Sequence, residues 1–148
     1  MLERALSESG DEGSNREKIT GATVLVVEDF DETRFMIKLS LELRGYRVLE
    51  ALNGFEAVEI ARRESLDLIL MDLSLPLLDG FAATRRIREE ARSRHVPIVA
   101  VTAHATAEYR VKALAAGFDE YVTKPIDFDK LGHLLNRLLR GEMENKRA

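Results

Sequence analysis

Hydrophobic positions fall along this chain in two rhythms. Five short runs read as strands: Thr23–Val27, Tyr46–Glu50, Leu66–Met71, Pro97–Val101 and Glu120–Thr123. Three of them contain TVLVV, LDLILM and PIVAV, which are almost continuously apolar. A strand with one wet face alternates polar and apolar residues. A run with no polar face is buried on both sides, as in a parallel sheet covered by helices. The intervals between runs have room for a helix and two loops, so the chain predicts a repeating β-α unit.

Helices are expected in those intervals. After Asp127, the residues Phe128, Leu131, Leu134, Leu135, Leu138 and Leu139 recur at helical spacing, with the Asp placed to cap the first turn. Val111, Leu114 and Ala115 form an apolar set that ends at Gly117, a residue suited to the left-handed position past a helix. Phe81, Thr84 and Ile87 mark another helix, and Phe55, Val58 and Ala61 another. The first interval is ambiguous, because Phe35, Ile37, Leu39, Leu41 and Leu43 alternate as a strand would. A helix is expected there all the same, since Asp31 and Glu32 favour a helix start and Gly45 a stop. The expected fold is α/β, with five parallel strands and helices on both faces. In such sheets ligands bind beyond the carboxyl ends of the strands.

Composition narrows the function classes. The 148 residues suffice for one domain with a real core. Residues 1–20 and 141–148 are polar and poor in apolar side chains, and are expected to be flexible tails flanking a domain over 21–140. Lys plus Arg number 22 against 26 Asp plus Glu, a net charge of −4, which disfavours direct nucleic-acid binding. Cysteine is absent, which removes disulfides, thiolate metal sites and Cys nucleophiles and fits a cytoplasmic setting. The longest stretch free of charged residues, His95 to Ala107, is too short to insert across a membrane. No apolar signal region follows the N-terminus.

Chemistry gathers at the predicted strand ends. The first strand ends in Glu28-Asp29, the third in Asp72 and the fourth in Thr102, and the fifth is followed by Lys124-Pro125. Each residue alone has an ordinary reading: an acid at a strand end caps the next helix, Thr102 is a turn hydroxyl, and Lys124 is solvated. Together they bring three carboxylates, a hydroxyl and an ammonium to one rim. Acids packed together call for a cation, and oxygen ligands suit a hard ion such as Mg²⁺. The lysine and the hydroxyl are suited to holding phosphoryl oxygens. His95 and His133 have no partner pattern and read as surface positions. The run Arg85-Arg86-Ile87-Arg88-Glu89-Glu90 reads as a solvated helix face.

With these residues in place, residues 22–140 resemble the receiver domain of two-component response regulators. The matching stretches are TVLVVED, LILMDLSLPLLDG, VPIVAVTAHA and GFDEYVTKP. Pro76 and Gly80 lie four and eight residues after Asp72, Thr102 lies 30 after it and Lys124 lies 52 after it. The resemblance implies a flavodoxin-like (βα)5 fold and a phosphoacceptor signalling protein rather than an enzyme. It implies that Asp72 accepts a phosphoryl group from a sensor histidine kinase or a histidine phosphotransfer protein. Glu28, Asp29, Asp72 and the backbone carbonyl of Ser74 would hold Mg²⁺. Thr102 and Lys124 would bind the phosphoryl group, and Thr102 and Tyr121 would form the switch read by a downstream effector protein. Glu28 stands where the family often has Asp.

Further expectations follow from that resemblance. Phe30, Arg34 and Met36 would face the kinase, and Ser74 and His104 would tune the lifetime of the phosphoryl group. The chain is expected to act as a stand-alone, chemotaxis-regulator-like receiver, although a receiver cut from a hybrid kinase or a transcription factor has the same pattern. Two rivals have distinct signatures. An aspartyl-phosphate phosphohydrolase would resemble a D-x-D pattern, where this chain has Ser74. A degenerate receiver serving only as an interaction module would lack site residues that are all present here.

Overall fold

A computed structural model describes residues 21–141, so the expected tails lie outside the described residues, apart from Gly141. Five strands alternate with five α-helices: β1 (Thr23–Val27), α1 (Asp31–Leu43), β2 (Arg47–Ala51), α2 (Gly54–Arg63), β3 (Leu68–Asp72), α3 (Gly80–Glu89), β4 (Ile98–Thr102), α4 (Ala107–Ala116), β5 (Glu120–Thr123) and α5 (Phe128–Leu139). A short 3-10 turn, Ala91–Ser93, follows α3. The strands form one parallel sheet in the order β2-β1-β3-β4-β5.

The three apolar runs become β1, β3 and β4, the middle of the sheet, and every residue in them is buried. Alternate side chains divide between two cores. Leu25, Val27, Ile69, Met71, Ile98 and Ala100 pack with α2, α3 and α4. Val24, Val26, Leu68, Leu70, Val99 and Val101 pack with Ile37 and Leu41 of α1 and Leu131, Leu135 and Leu138 of α5. The helix expected over Phe35 to Leu43 is present, and its strand-like alternation has a simple consequence. On a helix only Ile37 and Leu41, four residues apart, reach the core, while Phe35, Leu39 and Leu43 are left exposed.

Five sequence expectations need correction, and one is strand β4, which is Ile98–Thr102 rather than Pro97–Val101. Strand β2 is Arg47–Ala51, one residue later than expected, because the Tyr46 N–H still bonds the end of α1 at the Leu41 carbonyl. Strand β3 starts at Leu68 rather than Leu66, since the Asp67 carboxylate accepts the Thr23 N–H at 2.7 Å as a staple across the strand ends. In α4 the buried residues are Ala113 and Ala116, while Val111 and Leu114 face outward. Gly117 nevertheless ends that helix at φ 113° as expected, with Phe118 buried just beyond it. The charged run on α3 is not all solvated. Arg88 donates to the backbone carbonyls of Gly117, Val96 and Arg94 and pairs with Asp119 at 2.8 Å.

Candidate functional site

The ends of β1, β3, β4 and β5 converge on one rim, and the helix caps show which groups are left for chemistry there. Helices α2 to α5 are each capped by a side chain of their own: Asn53, Asp79, Thr106 and Asp127. Helix α1 has no side-chain cap, although Glu28 and Asp29 stand just before it. Asp72, Glu28 and Asp29 are therefore not helix caps, which was the ordinary reading of each. Thr102 does serve a turn, because its hydroxyl oxygen accepts the His104 N–H at 3.2 Å. That bond uses a lone pair and leaves the hydroxyl proton to be donated elsewhere.

Glu28 is 2% exposed, Asp72 6% and Thr102 0%, while Asp29 is open to solvent. Lys124 Nζ lies 3.0 Å from Glu28 Oε1 and 3.0 Å from Asp72 Oδ2. The other Asp72 oxygen accepts the Ser74 N–H at 3.0 Å, and Glu28 Oε2 accepts the Phe30 N–H at 3.1 Å. Burial pushes the Glu28 carboxyl up, the Lys124 hydrogen bond opposes this, and the charge of Asp72 reinforces it. Burial works to lower the Lys124 ammonium, but its bonds to Glu28 and Asp72 outweigh that and hold it above its ordinary value. One cation thus serves two buried acids with a third beside them, and the rim stays short of positive charge.

Glu28, Asp29 and Asp72 each offer a carboxylate oxygen, and these oxygens all lie within 4.8 Å of one another. Three hard oxygen donors, one of them reachable from solvent, fit Mg²⁺. The loop after β3 is pinned by Gly80, whose N–H bonds the Leu73 carbonyl at 3.0 Å. A Cβ at Gly80 would stand 2.3 Å from the Asp72 carbonyl, so only glycine allows α3 to begin so close to the end of β3. In the same loop Leu77 has φ 68° and is exposed, which is strained for a side chain of its size.

Tyr121 is packed inward, 9% exposed, and its hydroxyl donates to the His104 carbonyl. Burial raises its phenol, and Arg110 pulls it back down. The Arg110 guanidinium sits 4.7 Å from the Tyr121 ring centre. The His104 ring lies flat on Tyr109, 4.4 Å between centres, so it is held by α4. Among the residues expected to face a kinase, Phe30 and Met36 are exposed. Arg34 is not available in the same way, because it braces the loop through Glu28 O, Asp31 and Glu50. Sequence reasoning missed Arg110, Tyr109 and the Arg34 brace. The only hint was a set of cations at helical positions near aromatics.

The chain is similar to known proteins over nearly all of its described residues. The family profile of the response regulator receiver domain matches residues 24–136. Protein PilH of Pseudomonas aeruginosa is 35% identical over 120 residues, covering 81% of this chain and 99% of PilH. Sensor histidine kinase GacS of Pseudomonas protegens is 38% identical over 115 residues, 76% of this chain but only 12% of that kinase. The receiver domain of sensor histidine kinase PA1611 of Pseudomonas aeruginosa, solved with magnesium in its active-site cleft, is 41% identical. It superposes with a TM-score of 0.77, covering 80% of this chain and 98% of that one. Among the described residues no helix is long and apolar enough to cross a membrane.

Proposed function

The chain belongs to the response-regulator receiver family, and on that premise we propose that it is a phosphoacceptor switch with Asp72 as the acceptor. The observation that carries this reading is the pairing of Asp72 and Glu28 with one lysine, 3.0 Å from each, at the carboxyl end of the sheet. In the reaction, an Asp72 carboxylate oxygen forms a bond to phosphorus while the P–N bond of a donor phosphohistidine breaks. The freed imidazole nitrogen takes up a proton. Lys124 holds one phosphoryl oxygen as a point charge and the free proton of Thr102 is donated to another. Glu28, Asp29, Asp72 and the Ser74 carbonyl would hold Mg²⁺, which when bound would offset the acids and draw charge from the transferring group.

Donor and reader use different faces. The donor is a histidine kinase or phosphotransfer protein, and it meets exposed Phe30 and Met36. Met36 continues into an apolar groove with Leu39, Leu43 and Phe128 between α1 and α5, a shape suited to the helices of a donor. An effector reads the face of α4, β5 and α5, where Val111 and Leu114 are exposed. His104, stacked on Tyr109, limits the access of water to the phosphoryl group and so affects its lifetime.

The test is intact-mass analysis after incubation with acetyl phosphate, with and without Mg²⁺. One Mg²⁺-dependent phosphoryl adduct is expected in the wild type and none in Asp72→Ala. A folded wild type that takes no phosphoryl group would leave an interaction module without phosphorylation.

A further inference from the structure

A chain of contacts runs from the phosphoryl-binding hydroxyl to the surface. Thr102 accepts the His104 N–H, the His104 carbonyl accepts the Tyr121 hydroxyl, and the Tyr121 ring carries the Arg110 guanidinium on its face. Arg110 lies on α4, eight residues past Thr102 and away from the reacting atoms. Its guanidinium meets the Tyr121 ring 4.7 Å from the ring centre. Its neighbour Tyr109 grips the same loop, and Lys112 braces the Tyr109 ring. Tyr109 stacks on His104, and Lys112 lies 5.6 Å from the Tyr109 ring centre and 5.0 Å from that of Phe81.

We propose that Arg110 is a positioning residue of the switch: by capping the ring of Tyr121 it holds that ring inward, and so sets how readily the site takes a phosphoryl group. This rests on the phosphoacceptor reading above. The direction follows from the geometry. With Tyr121 inward, the β4–α4 loop is tied at the His104 carbonyl, and the His104 N–H fixes the Thr102 oxygen with its proton still free to be donated. That is the arrangement a phosphoryl oxygen needs, so phosphoryl binding and the inward ring favour each other. A group that favours one member of such a pair raises the affinity of the other by the same factor. The guanidinium makes its ring contact only while the ring is inward, so it biases that equilibrium without touching the phosphoryl site.

The full chain labelled with 3-fluorotyrosine tests this. Its three tyrosines, Tyr46, Tyr109 and Tyr121, give fluorine resonances that Tyr→Phe variants assign. The probe is beryllofluoride with Mg²⁺, a phosphoryl mimic. Arg110→Ala is expected to move the Tyr121 resonance of the free protein toward its solvent-exposed position. Its beryllofluoride affinity is expected to fall about two- to fivefold, the scale of one lost cation–π contact. Arg110→Lys should restore part of both effects, while Mg²⁺ affinity and the thermal midpoint stay at wild-type values. An Arg110→Ala protein with wild-type resonance and affinity overturns the proposal, as does a fall in affinity that only tracks lost thermal stability. A folded wild type that binds no beryllofluoride overturns the phosphoacceptor reading itself, and the role of Arg110 with it.

Discussion

Two part-buried ionic clusters in this molecule use the same ingredients to opposite ends. Beneath α3, Arg88 meets Asp119 at 2.8 Å; at the rim, Lys124 meets Asp72 and Glu28 at 3.0 Å each. Around Arg88 the remaining guanidinium protons go to backbone carbonyls, and the bonded Asp119 oxygen also accepts the Ile98 N–H. Here an acid meets a guanidinium, and the surrounding backbone takes up much of the remaining bonding capacity. At the rim one ammonium is shared between two buried carboxylates, with Asp29 beside them. A balanced, fully bonded pair locks a structure, whereas a pair short of positive charge keeps an appetite for a cation and for the anion that a cation brings.

The largest effect that separates them is on stability. Arg88→Ala takes the guanidinium away from the Asp119 carboxylate and from several carbonyls, and is expected to cost about 3 kcal/mol in urea unfolding. Phosphoryl incorporation per folded molecule should persist. Asp72→Asn should do the reverse, abolishing incorporation while raising stability in Mg²⁺-free buffer by about 1 kcal/mol, because a functional cluster of like charges is relieved. A destabilised Asp72→Asn protein would mean that the rim is as balanced as the Arg88 pair. The smallest effect is alkaline. Its bonds to Glu28 and Asp72 hold the Lys124 ammonium above its ordinary value when folded. A raised lysine contributes stability below the unfolded value and loses it as pH rises through the folded one. The stability gap between wild type and Lys124→Met in Mg²⁺-free buffer should therefore change as pH climbs past that point. The gap between wild type and Arg88→Ala should not, since arginine keeps its proton there.

What could be read from the chain follows what each signal depends on. The runs at β1, β3 and β4 are buried on both faces, so their composition alone marks them as central strands. The rim was legible because its acids, hydroxyl and ammonium stand at four strand ends at once, whatever their neighbours do. The outward faces of α1 and α4 were not. Leu39 and Val111 are as apolar as the core, and only the packed helix decides which side meets the sheet. Arg88 and Arg110 were missed for a related reason. Their partners lie on other elements, Asp119 and Tyr121 on the far side of a turn, and a run of charges carries no record of what crosses it.

The strand order has a consequence for quality control. Asp72 belongs to β3, but its companions arrive from β1, β4 and the end of β5, and β5 is an edge strand paired on one side only. Parallel neighbours cannot be joined by a short hairpin, so each companion reaches its place only after a helical crossover has been laid down. An unfinished chain therefore carries the carboxylate without the ammonium or the hydroxyl, and it stays mute. In this architecture the right to receive a message is granted only to a molecule whose last strand has docked.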